Sequence, residues 1–200
     1  MFSEIYFFHK CLFLYRKAAS DDLPEISQVV NAAYAIEIGS EGVSFKSANR
    51  YSEYPLHSKT DPRDPERDLP FLYILRHEST PRIVGVVKAK LIEDNRVVEI
   101  GPLAVHPDFQ VTEKRSQKKA NSFLECLVFQ GQGHGSRLLR FAESLAKKAQ
   151  IQVVSCRSDL FGFYDKRGYK ETGRVPAETY IPPKYMTRQG LQMIIMQKEH

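Results

Sequence analysis

Three strand-like runs separated by short turns, followed by a glycine-rich loop, a helix and a further strand, predict an α/β (α+β) fold: a mixed, mostly antiparallel central sheet flanked by helices. The runs are FLYILR (71–76), RIVGVVKAKLI (82–92) and VVEIGPLAVH (97–106), dense in β-branched residues, with Asp94-Asn95 as the turn between the last two. They read as an antiparallel meander. Leu138, Leu139, Ala142, Leu145 and Ala146 mark a helix running to about Ala149, and IQVVSC (151–156) reads as a short buried strand. A βαβ unit, and with it one parallel pairing, follows.

The remaining elements are placed by the same periodicities. Residues 12–17 read as the first strand, and 1–11 as a ragged extension ahead of it. Asp21 and Asp22 form the N-cap region of an amphipathic helix in which Leu23, Ile26, Val29, Val30 and Ala33 recur at helical spacing, ending near Tyr34. Residues 37–68 are polar and carry Pro55, Pro62 and Pro65, so they read as loops around at most one short helix. A brief helix near 159–166, a strand at 169–174, a proline-bearing loop and a last strand at 191–198 complete the chain.

Composition narrows the function classes. At 200 residues the chain is one domain, and 42% hydrophobic with 26% charged residues excludes disordered, collagen-like and disulfide-dense classes. The net charge of +5 favours acidic ligands mildly, but no basic stripe with interleaved aromatics appears, so no nucleic-acid partner is expected. Cys11, Cys126 and Cys156 show no C-x-x-C spacing, as in a reducing compartment, so free thiols and a cytoplasmic protein are expected, with the nucleus as the alternative; a monomer or homodimer is expected. The apolar run 5–15 is interrupted by His9 and Lys10 and lacks a basic flank or cleavage site, so neither a leader nor a membrane span is expected. The six histidines have no metal-ligand spacing, and no metal is expected; Cys156, at a strand end, reads as a buried inert thiol.

The informative segment is GQGHGSRLLRFAESLAKKA, in which Gly131, Gly133 and Gly135 stand between a strand and a helix. Glycines let the backbone approach a ligand, and the helix N-terminus presents unpaired N–H groups with a favourable dipole. That combination suits phosphate. Ser136 breaks G-x-G-x-x-G and no Lys follows in P-loop position, so dinucleotide and P-loop readings lose ground.

Gln130, Gly133 and Gly135 match Gln/Arg-x-x-Gly-x-Gly/Ala at the start of a helix, and FYDKRGY (163–169) matches a short helix and following strand; in both respects the sequence resembles the GNAT superfamily of acyl-CoA-dependent N-acetyltransferases. The order of elements resembles that of the family over residues 15–198. Two departures stand out. The family's frequent Asn-x-x-Ala is Arg157 and Leu160 here, and 20 residues, Val111 to Gln130, separate DFQ from GQGHG where the family usually runs VHPDFQGQGHG together. Two readings of this insert stand side by side: a genuine surface lobe, or a translated intron. For the second, the insert is 60 bases in frame, Val admits an initial GT, Phe-Gln admits a pyrimidine-rich AG end, and joining Gln110 to Gly131 regenerates Gln-x-x-Gly-x-Gly.

The resemblance implies acetyl-CoA as cosubstrate and a primary amine, on a small molecule or a peptide, as acceptor. It implies Glu99 as general base, a backbone N–H near Val105 as oxyanion donor and Tyr164 as the acid that protonates the thiolate. Cofactor contacts are implied for Leu103, Ala104 and Val105 on the strand, for Gln110 or Gln130, and for Gly131, Gln132, Gly133, His134, Gly135 and Ser136 around the loop. Within the loop His134 is expected to act through its backbone. Strand alternation puts Glu99, Gly101 and Leu103 on one face unless a bulge intervenes, and Gly101-Pro102 favours a strand that bends from its neighbour. Arg157, Lys166 and Arg167 read chiefly as solvated charges. Acceptor contacts are expected from Tyr34, Glu37, Glu41, Tyr51, Tyr54, Glu178 and Tyr180, acidic groups beside aromatics that suit a cationic amine. The alternative is a GNAT-fold module that holds an acyl-CoA without turnover.

Overall fold

The computed structural model describes residues 13–36, 64–77, 80–110, 133–181, 186 and 189–200. In chain order these form β1 (Phe13–Lys17), α1 (Leu23–Ile36), the single turn α2 (Pro65–Asp68), β2 (Leu72–His77), β3 (Ile83–Ile92), β4 (Val97–Val105), α3 (His134–Glu143), β5 (Lys148–Val154), α4 (Ser158–Asp165), β6 (Lys170–Pro176) and β7 (Gln192–Glu199). The strands make one sheet in the order β1-β2-β3-β4-β5-β7-β6. Every neighbouring pair is antiparallel except β4 and β5, which are joined through α3. The segment 111–130, the loop residues Gln130, Gly131 and Gln132, and Glu37, Glu41, Tyr51 and Tyr54 lie outside the described residues.

Two helices cover opposite faces of the sheet. The periodic residues of α1, Leu23, Ile26, Val29, Val30 and Ala33, are buried against Leu72, Ile74, Ile83, Val86 and Ala104. On the other face, Leu138, Leu139 and Ala142 of α3 pack on Val84, Val87, Val98 and Ile100. Each such Leu, Ile or Val side chain taken from water contributes about 1.5–3 kcal/mol. Gly85 sets how closely α3 approaches: a Cβ there would lie 2.7 Å from Leu138 Cδ1 and 2.8 Å from the Ala104 carbonyl oxygen.

A buried carboxylate ties β1, β2 and α1 together. Asp22 accepts from both terminal nitrogens of Arg16 at 2.7 Å, from Arg76 at 3.0 Å and from the Ala19 N–H at 2.8 Å. Glu25 accepts the Ile83 N–H at 2.6 Å and Arg76 at 3.4 Å, which fixes α1 to the start of β3. Burial alone would raise the Asp22 carboxyl, but the Arg16 and Ala19 hydrogen bonds and the two guanidinium charges outweigh it and hold the group below its usual value.

The helix after the glycine loop ends earlier than its periodicity suggests. It stops at Glu143 rather than near Ala149, and the next strand starts at Lys148 and ends at Val154 rather than spanning 151–156. Leu145 and Ala146 still pack on the core, but from a tight turn in which the Ser144 hydroxyl donates to the Phe141 carbonyl at 2.7 Å. Alternation decides the contest: Ala149, Ile151 and Val153 are buried while their neighbours are half-exposed, and Lys148 already pairs with both Val97 and Glu199.

Candidate active site

The site begins where β4 and β5 separate. Their parallel ladder runs from Val97–Lys148 to Ile100–Ile151 and stops, whereas β5 goes on pairing with β7 as far as Val154. The separation coincides with a bulge. Between the pairs Val87–Leu103 and Ala89–Ile100, one β3 residue faces two β4 residues, Gly101 and Pro102. Gly101 takes a φ of 143°, a value that favours glycine, and Pro102 cannot donate to a ladder. The result is a cavity of about 750 Å³ lined from both strands and from α1, α3 and α4.

The freed edge of β4 has a defined chemistry. The His106 N–H donates to the Val84 carbonyl at 2.9 Å, so by antiparallel alternation the N–H groups of Ala104 and His106 face β3 while those of Leu103 and Val105 face the gap left by β5. The Val105 carbonyl on that edge accepts from the Gln110 side chain at 2.7 Å. An extended ligand with its own amides can pair with such an edge as a missing strand would.

The glycine loop enters the same cavity through α3. Gly133 is the N-cap, with φ 64° and ψ 37°, a left-handed conformation that its lack of a Cβ permits. Gly133, His134, Gly135 and Ser136 all line the cavity, and a Cβ on Gly135 would touch Leu103 and Val105 at 3.8 Å. The helix's first bond is Arg137 N–H to the Gly133 carbonyl, which leaves the first-turn N–H groups outside the helical ladder. Arg167 joins them: it donates to Ser136 Oγ at 2.9 Å and to the Phe163 carbonyl at 2.9 Å, and lies 3.4 Å over the Phe163 ring. A helix N-terminus with a guanidinium beside it suits an anion.

Two candidate proton-transfer groups line the cavity, Glu99 and Tyr164. Glu99 is half-buried and has no hydrogen-bond partner among the described residues, whereas the other cavity charges are matched: Lys88 donates to Asp68 at 2.7 Å, and Arg157 meets Asp159 bidentately at 2.9 and 2.8 Å. Tyr164 is held edge-on to Phe163 and Tyr169, with centroids 5.1 and 5.6 Å apart. Tyr169 is fully buried. It donates to Glu143 at 3.0 Å, a carboxylate that Lys198 also reaches at 3.1 Å. Burial first, then the Glu143 charge and hydrogen bond, push the Tyr169 phenol strongly up.

Several expectations change. The bulge does intervene: Leu103 packs with Val98 and Ile100 in the α3 cluster, so it does not share a face with Glu99. Ala104 is not on the cavity wall; it is buried under α1. The His134 ring is buried edge-on to Phe13 and Phe109. Arg167 is anchored at α3 rather than solvated, and Cys156 is half-buried on the cavity wall rather than buried in the core. Leu103, Val105, Gln110, Gly133, Gly135, Ser136, Tyr34 and Tyr180 do line the cavity. Sequence reasoning missed Lys88, Phe109 and Gln152; Gln152 is one of three polar residues that alternate with buried ones along KAQIQVV and carried no signal of its own. Among the described residues no three His, Cys, Asp or Glu side chains converge as a metal site would require, and no helix is long and apolar enough to cross a membrane.

No family model matches the chain, and no curated protein matches it. Solved structures do. The chain is similar to the PaiA N-acetyltransferase of Thermoplasma acidophilum in complex with coenzyme A, with TM-score 0.57 and 17% identity over 94% of this chain and 99% of that one. It is similar to Arabidopsis thaliana Naa50 in complex with a bisubstrate analogue, with TM-score 0.53 and 12% identity over 94% and 99% of the two chains. It also matches N-acetylglutamate synthase from Neisseria gonorrhoeae, with TM-score 0.51 and 18% identity, covering 94% of this chain but spanning only 35% of that protein. With its strand order, the parted β4 and β5 and the glycine-capped helix between them, the chain has the GNAT fold.

Proposed function

We propose that the protein is an acetyl-CoA-dependent N-acetyltransferase acting on a primary amine. The observation that carries this reading is the freed β4 edge, with Leu103 and Val105 N–H groups facing a cavity that also receives the first turn of α3, whose Ser136 is held by Arg167. An extended arm with two amides and a pyrophosphate behind it fits that sequence of strand edge and helix N-terminus. When bound, acetyl-CoA supplies a thioester whose carbonyl carbon gains the C–N bond as its C–S bond breaks, the electron pair leaving on sulfur.

The chain's residues then divide the proton work. A lysine-like amine titrates near 10.4, so it arrives charged, and Glu99 takes one proton from its nitrogen before attack, passes it to solvent, and takes a second as the amide forms. Val105 N–H donates to the developing oxyanion, worth roughly 3 kcal/mol in the transition state. Tyr164 gives a proton to the departing thiolate and recovers one from solvent, so that one proton is released per turnover. With its neighbours matched, Glu99 is the uncompensated cavity charge among the described residues, which favours a cationic acceptor beside Tyr34 and Tyr180.

Phe109 and His134, described residues on the two sides of 111–130, have ring centroids 6.4 Å apart. A chain joining Gln110 to Gly131 would need three peptide units to reach Gly133, about 10 Å of reach. We read the joined form as the native one. Free thiol release from acetyl-CoA, with tyramine, spermidine and a short peptide as acceptors, is the test, run on the chain as written and on the chain lacking 111–130. Amine-dependent thiol release by at least the shortened chain supports the reading. Acetyl-CoA binding with no amine-dependent thiol from either chain identifies the non-catalytic acyl-CoA module instead.

A further inference from the structure

Gln152 stands next to the last residue of β5 that pairs with β4, on the strand opposite Glu99 across the parting. The parallel register sets Glu99 against Gln150. With the strand period of two, Gln150 and Gln152 share the face opposite Ala149, Ile151 and Val153, the face on which Glu99 also lies. Diagonal neighbours of this kind are about 7–8 Å apart at Cα, close enough for two long side chains to meet around one small group. Both line the cavity, and both are half-buried without a hydrogen-bond partner among the described residues. Gln150 is different: its side-chain oxygen already accepts from Gln197 at 2.8 Å. A half-buried carboxamide with no partner among the described residues has its donor and acceptor atoms open to the cavity, where a ligand can bond them.

We propose that Gln152 is an acceptor-positioning residue, its carboxamide oxygen taking one N–H of the incoming amine while Glu99 takes another, and that this pair selects primary over secondary amines. The inference rests on the acetyltransferase reading above. A neutral primary amine carries two N–H groups and one lone pair. One N–H is the proton that passes to Glu99 as the C–N bond forms and the C–S bond breaks; the other is retained and becomes the amide N–H, held on Gln152 throughout. With both hydrogens engaged, the lone pair is aimed into the gap toward the Val105 edge. A secondary amine has a single N–H, which Glu99 must receive, so Gln152 meets an alkyl group and loses its only partner. Sites that bond a substrate N–H reject the analogue lacking it through that unpaired group.

The test pairs tyramine with N-methyltyramine and spermidine with its form N-methylated at both termini, following thiol release by the native chain and by Q152L and Q152E. The native enzyme is expected to favour each primary amine by about 30-fold or more in kcat/KM. Q152L is expected to cut that preference to a few-fold through loss of primary-amine turnover, with acetyl-CoA affinity and melting temperature unchanged; Q152E, whose carboxylate also accepts N–H, should retain the preference. Amine turnover with the same preference in Q152L as in the native chain would overturn the role of Gln152 alone. Absence of thiol release with every primary amine would overturn the acetyltransferase reading and this inference with it.

Discussion

Two carboxylates separate what holds this molecule together from what it offers a ligand. Asp22 is buried and saturated, accepting from Arg16 twice, from Arg76 and from a backbone N–H. Glu99 is half-buried on a cavity wall and accepts from nothing among the described residues. The same chemistry serves opposite ends: a carboxylate whose lone pairs are filled from its own chain fixes geometry, and one whose lone pairs are empty at a cavity is available for a proton or an ammonium. Glu143, filled by Tyr169 and Lys198, belongs with Asp22.

Substitution should split the two cleanly. E99Q is expected to lower kcat by about 10²–10³-fold with the melting temperature unchanged, because only the proton acceptor is lost. If E99Q unfolded the protein instead, Glu99 would belong with the structural carboxylates. D22N should cost about 3 kcal/mol by denaturant unfolding, since it leaves two guanidinium groups short of their partner, while kcat of the folded fraction is preserved. A loss of kcat at full stability would place Asp22 on the functional side.

Acid sharpens the same contrast. The Asp22 carboxyl titrates below its unfolded value, so its contribution to stability is fully present above the ordinary carboxylate pKa near 4 and fades as pH falls below it. Native chain and D22N should therefore converge in stability between about pH 4 and pH 2. A gap that stayed constant through that range would show that the ion pairs do not carry the effect. The smallest of these effects is steric. G85A brings a Cβ within 2.8 Å of the Ala104 carbonyl oxygen and should cost about 1–3 kcal/mol, moving α3 off β3 without touching either carboxylate.

The sheet and the helix positions were legible because their periods are unambiguous: Leu23 to Ala33 repeats as a helix, and 82–92 and 97–105 as paired strands. Over 144–149 both periods fit AKKA, and only the pairing of Lys148 with strands on both sides decides. The glycine loop and Tyr164 were readable as patterns. The face of Leu103 was not, because one extra residue at Gly101-Pro102 inverts every side chain after it. Lys88 and Gln152 stayed hidden for another reason: in sequence they are ordinary polar members of strands, and their meaning comes from a neighbouring strand that departs.

The central claim is that the β4 edge exposed by the departure of β5 receives the acyl carrier. Residue-resolved amide exchange on β4, with and without saturating acetyl-CoA, tests it most directly. Leu103 and Val105 amides, which face the gap, should slow by about tenfold or more, while Ala104 and His106, already bonded to β3, should change little. Binding of acetyl-CoA with Leu103 and Val105 exchanging as before would contradict the account.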